Sequence, residues 1–206
     1  MSRLPNFPSP FSAYYDPNPQ HPLDRPLVVC SFFGAGGNAV ARRLAALGGW
    51  TYIDVYDETA HRLSNHRASS EWNTEHPDWS SAQEAVLARA IQQEPCPVIG
   101  LPDGCLLPSF ALDLLRDRCD VLLVDMDWLT LQERLLDEIV QYPEKHPEFA
   151  DQPIPDLHTL QIMHAKRAGL YGVANLRIEA NETSVSTLAS RAWRLLSNRE
   201  TRSTIR

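Results

Sequence analysis

The sequence predicts an α/β domain, three layers deep, with a five-stranded parallel sheet between two layers of helices. Three observations predict it. Short apolar, β-branched runs alternate with longer stretches of helical period. Those runs read as continuous hydrophobic segments, as expected of strands buried on both faces. The first of them, Leu27-Val28-Val29-Cys30-Ser31-Phe32, leads into the glycine cluster Gly34-Ala35-Gly36-Gly37 and then a helix-like segment. That layout makes a tight strand-to-helix turn, whose backbone N–H groups and helix dipole converge on one point and suit a phosphate.

In chain order, the first strand covers about 27 to 32 and a helix about 38 to 47, ended by Gly48-Gly49. A short second strand, Trp50-Thr51-Tyr52-Ile53, stops at Asp54, and a helix opens at the acidic pair Asp57-Glu58. Residues 67 to 79 show no period and read as an irregular excursion. Ser80 is placed to cap a helix from 81 to 93. Pro97-Val98-Ile99-Gly100-Leu101 is the third strand, with Pro102-Asp103-Gly104 as its turn, and Pro108 opens a helix to about 116. The fourth strand is Val121-Leu122-Leu123-Val124-Asp125, followed by a helix around 130 to 140. Residues 141 to 156 are rich in proline and charge and read as a mobile flap. A helix from 157 to 170, a strand from 174 to 179 and an amphipathic helix from 184 to 196 complete the body, before a polar tail from 198 to 206.

Bulk properties bound the function. The chain of 206 residues suits one domain, and 43% apolar with 22% charged residues is ordinary for a globular protein. A net charge of −7 argues against nucleic acid or an anionic membrane as partner. No apolar run approaches the roughly 20 residues that span a bilayer. The first residues lack a secretory layout, so a cytoplasmic location is expected. The four cysteines, at 30, 96, 105 and 119, form no CxxC pair, and Cys30 and Cys96 are expected in strands as small core residues. The seven histidines show no HExxH pattern, so no metal centre is expected from them. Residues 1 to 26 carry Pro5, Pro8, Pro10, Pro17, Pro19, Pro22 and Pro26, which predicts an extended arm. Its Leu4, Phe7, Phe11, Tyr14 and Tyr15 leave two readings open: a solvated tail, or an arm docking on the body or a partner.

Ligands of such sheets bind at the carboxyl ends of the strands, so the loops after Ser31, Ile53, Leu101 and Asp125 form one rim. Four landmarks stand there in order. They are Phe33-Gly34-Ala35-Gly36-Gly37-Asn38, then Tyr52-Ile53-Asp54-Val55-Tyr56-Asp57, then Val98-Ile99-Gly100-Leu101-Pro102-Asp103-Gly104, and finally Arg167-Ala168-Gly169-Leu170-Tyr171-Gly172-Val173-Ala174. On these, the chain from about 27 to 196 resembles the shikimate kinases, within the P-loop nucleoside-monophosphate-kinase superfamily. The resemblance implies the sheet order 2-3-1-4-5 and a body from 27 to 197 whose lid is the flap at 141 to 156.

The resemblance also implies roles. Gly34, Ala35, Gly36, Gly37, Asn38 and Ala39 would hold ATP. Asn38 and Asp54 would hold magnesium, and Asp54 would be the catalytic carboxylate. Tyr56, Ser80, Asp103, Gly104 and Arg167 would line the substrate site, with Arg167 as a carboxylate clamp. The departures are substantial. Where the family has a phosphate-neutralising lysine and a magnesium-binding hydroxyl, the chain has Gly37 and Asn38. Losing one preorganised donor typically costs about 10²–10³ in rate. Tyr56 replaces the second aspartate of a D-x-D segment, Ser80 an arginine, and Pro102-Asp103-Gly104 three glycines; the flap holds no arginine. A charge at Asp103 about 5 Å from an anionic substrate would oppose it by on the order of 3 kcal/mol at an effective dielectric near 20.

Structural alternatives accompany these roles. The glycines serve the turn itself, Asp54 caps the following helix, Arg167 pairs with a surface acid, and Asp103 shapes a turn. Three functions follow. The leading one is a shikimate kinase-like pseudo-enzyme, a ligand-binding or regulatory module, with ATP and magnesium bound only if nucleotide binding is retained. The second is an active small-molecule kinase or transferase with another substrate, a neutral or cationic polyol or amine, and a lysine such as Lys166 or Lys145 replacing the missing cation. The third is an oligomeric scaffold that uses the N-terminal arm to bind a second copy or a protein partner.

Overall fold

A computed structural model of the chain describes residues 23–64, 78–141, 155–181 and 184–203, with the side chains of the last helix through 197. The arm through residue 22, most of the excursion and of the flap, and the last three residues of the tail lie outside the described residues. Five strands, β1 (Leu27–Ser31), β2 (Tyr52–Asp54), β3 (Val98–Gly100), β4 (Asp120–Asp125) and β5 (Leu176–Glu179), form one sheet in the order β2-β3-β1-β4-β5. Every neighbouring pair is parallel: Leu27 lies opposite Val98 on one side and Asp120 on the other. The fold class and strand order are those expected. β1 is buried along its whole length, which is why its run carries no charge.

Among the described residues seven helices connect the strands, α1 (Gly37–Gly48), α2 (Val55–Ser64), α3 (Trp79–Ile91), α4 (Ser109–Arg118), α5 (Trp128–Gln141), α6 (Leu157–Ala165) and α7 (Ala168–Gly172), and α8 (Val185–Ser203) follows β5. α1 lies across β1, β2 and β3 and against α8, while α4 packs against β4, α3 and α7. Val40, Ala41, Leu44 and Ala45 are the buried stripe of α1, at the spacing of one helix face. Where α1 ends, Gly49 takes a left-handed φ of 65° and its N–H returns to the Ala45 carbonyl. The Trp50 N–H goes to the same carbonyl, at 2.9 Å. Trp50 is therefore held by the helix end rather than the sheet, and β2 starts two residues later than expected. Its indole stacks on Trp193 of α8, with centroids 5.0 Å apart and planes 22° apart.

Two further differences have local causes. The single helix expected from 157 to 170 is broken in two at Arg167. Its guanidinium Nη1 donates to the Met163 carbonyl, the acceptor a continuous helix would offer its backbone, and its own N–H turns to His164. α3 starts at Trp79 with Asp78 at its N-cap, so Ser80 lies inside the first turn. Cys96 lies just ahead of β3, half-buried, whereas Cys30 is buried in β1. All four cysteines are free thiols.

Candidate functional site

The glycine loop links β1 to α1. Gly34 and Gly36 both adopt φ of 75°, a region that L side chains avoid, and the Ala35 N–H closes the turn on the Phe32 carbonyl at 3.1 Å. Gly36 is the N-cap of α1 and supplies no side chain, so the helix opens with its positive end bare. The next residue is different. The Gly37 N–H donates to Ser31 Oγ at 3.1 Å, and the Ser31 hydroxyl in turn donates to the Asp103 carboxylate. A Cβ added at Gly37 would lie 2.3 Å from Ser31 Oγ and 2.8 Å from its Cβ. Position 37 thus accepts no side chain unless Ser31 moves. Ser31 escaped the sequence reading; its only signal is a hydroxyl ending an otherwise apolar strand at the glycine turn.

At the end of β2, Asp54 accepts from the Tyr56 N–H at 3.1 Å and the Asp57 N–H at 3.4 Å, capping α2. Its other oxygen takes the Tyr52 hydroxyl at 2.9 Å, with Arg42 at 3.7 Å. Burial, then the Asp54 charge, push the Tyr52 hydroxyl well above the usual phenol range, so it stays a donor. Burial and the Asp54 charge likewise raise the Asp57 carboxyl. Asn38 comes to the same place: a Cβ built on Gly100 would meet Asn38 Oδ1 at 2.4 Å and the Tyr52 hydroxyl at 2.7 Å. Asn38 Oδ1 is enclosed and finds no hydrogen-bond partner among the described residues. Ala39 and Tyr56 are exposed; Tyr56 leans on Trp79 with centroids 5.1 Å apart. Ser80 is exposed beside that pair, its Oγ 3.4 Å from Glu84.

The turn after β3 is pinned from three sides. The Gly104 N–H bonds the Ser31 carbonyl and the Cys105 N–H bonds that of Pro102, both at 3.0 Å. The Gly104 carbonyl accepts from Arg167 Nε. A Cβ on Gly104, itself at φ 66°, would fall 2.3 Å from the Phe33 ring. Arg167 is only 8% exposed. Its guanidinium carbon sits 5.7 Å from the Phe32 ring centre and 5.1 Å from that of Phe33. Beneath lie Cys30 and Cys105, whose thiols burial pushes up to about 12, so both stay protonated and unreactive. Arg167, Asp103, Gly104 and the glycine loop are thus brought together, while Tyr56 and Ser80 stand apart at the β2 end. Lys166 is exposed at the C-cap of α6, and Lys145 lies outside the described residues.

On the other side of β1 the rim is concave. A cleft of about 280 Å³ is lined by Asp125, Asp127, Trp128, His164, Glu179 and Asn181, among others. Asp127 accepts from the Leu129 and Thr130 N–H groups and the Thr130 hydroxyl, which hold its carboxyl below the usual range. His164 packs against Phe32, Trp128 and Tyr171, and burial lowers its pKa, so it is neutral near pH 7. The sequence reading singled out neither His164 nor Trp128.

The same fold recurs in solved structures. Shikimate kinase from Acinetobacter baumannii in complex with shikimate superposes with a TM-score of 0.66, covering 85% of this chain and 95% of that one at 21% identity. The chain has a shikimate kinase-like P-loop kinase fold. The shikimate kinase of Aquifex aeolicus vf5 matches with a TM-score of 0.63 at 15% identity, covering 84% of this chain and 97% of that one. A gluconokinase from Sinorhizobium meliloti 1021 matches at 0.50 and 15%, covering 87% and 97%. At these identities the likeness speaks for the fold alone. No protein-family model matches the chain, and no curated protein matches it significantly in sequence.

A P-loop kinase fold implies a nucleotide and magnesium, and the residues present fit them poorly. A lysine at position 37 would collide with Ser31. The Gly37 N–H is already spent on that hydroxyl, with a carboxylate directly behind it. Asn38 Oδ1 is enclosed, and Asp54 already takes two N–H groups, a hydroxyl and an arginine. Among the described residues no three His, Cys, Asp or Glu side chains are grouped to hold a metal ion. No described helix is long and apolar enough to cross a membrane.

Proposed function

We propose that this protein uses the P-loop kinase fold without its phosphoryl transfer, as a ligand-binding or regulatory pseudo-enzyme. One observation carries the reading: the space that a side chain at position 37 would need is filled by Ser31. Phosphoryl transfer rests on positioning and on cations that neutralise the moving charge. Here the loop cation is replaced by glycine, and Arg167 is turned inward onto backbone carbonyls beside Phe32 and Phe33. The cleft at the ends of β4 and β5 is where we place the ligand, because concave sites that mix aromatic and polar side chains suit small molecules.

The test is a thermal-shift and transfer series on the full chain. Magnesium with ATP or ADP should leave the melting temperature unchanged, and labelled γ-phosphate should reach neither shikimate nor gluconate above background. A ligand present at 100 times its dissociation constant adds about 2.7 kcal/mol, which such a scan detects. Transfer to either acceptor well above background would reverse the proposal and favour the active-transferase reading.

A further inference from the structure

We propose that the Asp103 carboxylate is a resident anion of the glycine loop, an autoinhibitory contact that shuts the loop to phosphate groups. It deepens the preceding reading and rests on it for the loop's idleness in the wild-type chain. A glycine turn at a helix N-terminus is built to hold negative charge, through its N–H groups and the positive end of the dipole. α1 has that geometry: a bare Gly36 cap, no acidic residue in its first turn and no side-chain cap. The negative charge comes from across the sheet. Ser31 Oγ links the Gly37 N–H to Asp103, which lies 72 residues further along the chain than Ser31. Two short steps therefore separate the first N–H of the helix from a carboxylate.

The contact is held rigidly. Pairing of β1 with β3 continues past the strand ends, through the Leu101 N–H to the Val29 carbonyl and the Gly104 N–H to the Ser31 carbonyl. Phe33 fills the space above Gly104, and Arg167 holds the Gly104 carbonyl from below. Proline at 102 further restricts the backbone. The carboxylate therefore stays at the loop without a hinge or an external ligand. An incoming phosphate would meet it with like charge, and the Gly37 N–H would have to leave Ser31 first.

The experiment removes the charge and keeps the shape. Asp103→Asn retains an oxygen that accepts from Ser31, so the fold should survive; a circular dichroism melt of each variant checks this. Tripolyphosphate, without nucleoside or metal, is the probe, read by calorimetry and thermal shift at low and high salt. Wild type and Asp103→Glu should give no binding at millimolar probe. Asp103→Asn should bind at least about tenfold more tightly than wild type, since relief of one like-charge contact near a protein surface is of that order, and added salt should weaken it. Equal binding by wild type and Asp103→Asn, or none by a folded Asp103→Asn, overturns the proposal. Phosphoryl transfer by the wild type would instead strike the pseudo-enzyme reading, so the two failures are told apart.

Discussion

The two halves of the rim make opposite use of the same sheet. Around the ends of β1 and β3, polar groups are spent on one another: Gly37 on Ser31, Ser31 on Asp103, Arg167 on the Gly104 and Met163 carbonyls. Around the ends of β4 and β5, polar groups also reach between loops, as the Asp127 N–H does to Asn181 Oδ1 at 2.9 Å, but they leave open space between them. Asp127 caps α5, Asp125 takes the Met126 N–H at 2.9 Å and Arg177 at 3.1 Å, and a cleft is left between them. Whether a strand end becomes a site depends less on which residues stand there than on whether their hydrogen bonds are already satisfied across the rim. A closed half should resist ligands and punish substitution; an open half should tolerate it.

The hardest way to break this contrast is at Arg167. Arg167→Met leaves the buried Gly104 carbonyl and the part-buried Met163 carbonyl without their charged donor, and unfolding free energy should fall by about 3 kcal/mol in denaturant melts. Arg167→Lys should recover little, because an ammonium lacks the planar fork that serves two carbonyls at once while packing against Phe32 and Phe33. If Arg167→Met melts like wild type, the closed half is not held as described. Next comes Gly37→Ala, expected to cost about 1–3 kcal/mol by overpacking against Ser31. Adding Ser31→Gly should restore part of that, with a coupling of about 1 kcal/mol or more in a double-mutant cycle. Strict additivity would mean the two positions do not compete for space.

His164 joins the halves, touching Phe32 on one side and the cleft on the other. Burial lowers its pKa from 6.5, so the folded state disfavours the proton that the unfolded chain accepts. Its contribution to stability is therefore complete above about pH 6.5 and declines as pH falls through the lower folded value. In melts between about pH 5 and 8, the stability of wild type relative to His164→Phe should fall toward the acid end. A parallel pH dependence in both proteins would remove His164 from this role. The smallest effect belongs to the open half: Glu179→Gln, at the exposed edge of the cleft, should change stability by no more than about 0.5 kcal/mol.

The fold was legible because its signals are local. Leu27 to Ser31 announces a buried strand by composition alone, and Gly34 to Gly37 announces the turn that follows. The site was less so, because its decisive contacts span the chain. Arg167 looked like a clamp for a substrate carboxylate; its partner at Gly104 is 63 residues away, and no periodicity announces the ring pair it packs against. Asp103 was placed beside the substrate, and its carboxylate is bonded to the hydroxyl that holds the glycine loop. Asp54 sits where expected and caps α2, the structural alternative given for it. Ser31 passed unnoticed because a hydroxyl at a strand end carries no motif until the turn from β3 is folded against it.

The Trp50–Trp193 pair has an optical consequence. Two indoles stacked at 5.0 Å share their electronic excitation, so the far-ultraviolet dichroism of the folded chain should carry a split signal from them. One partner closes the first helix and the other belongs to the last, so the couplet reads out a single event: the seating of the C-terminal helix on α1. Trp193→Phe should erase it without touching the rim.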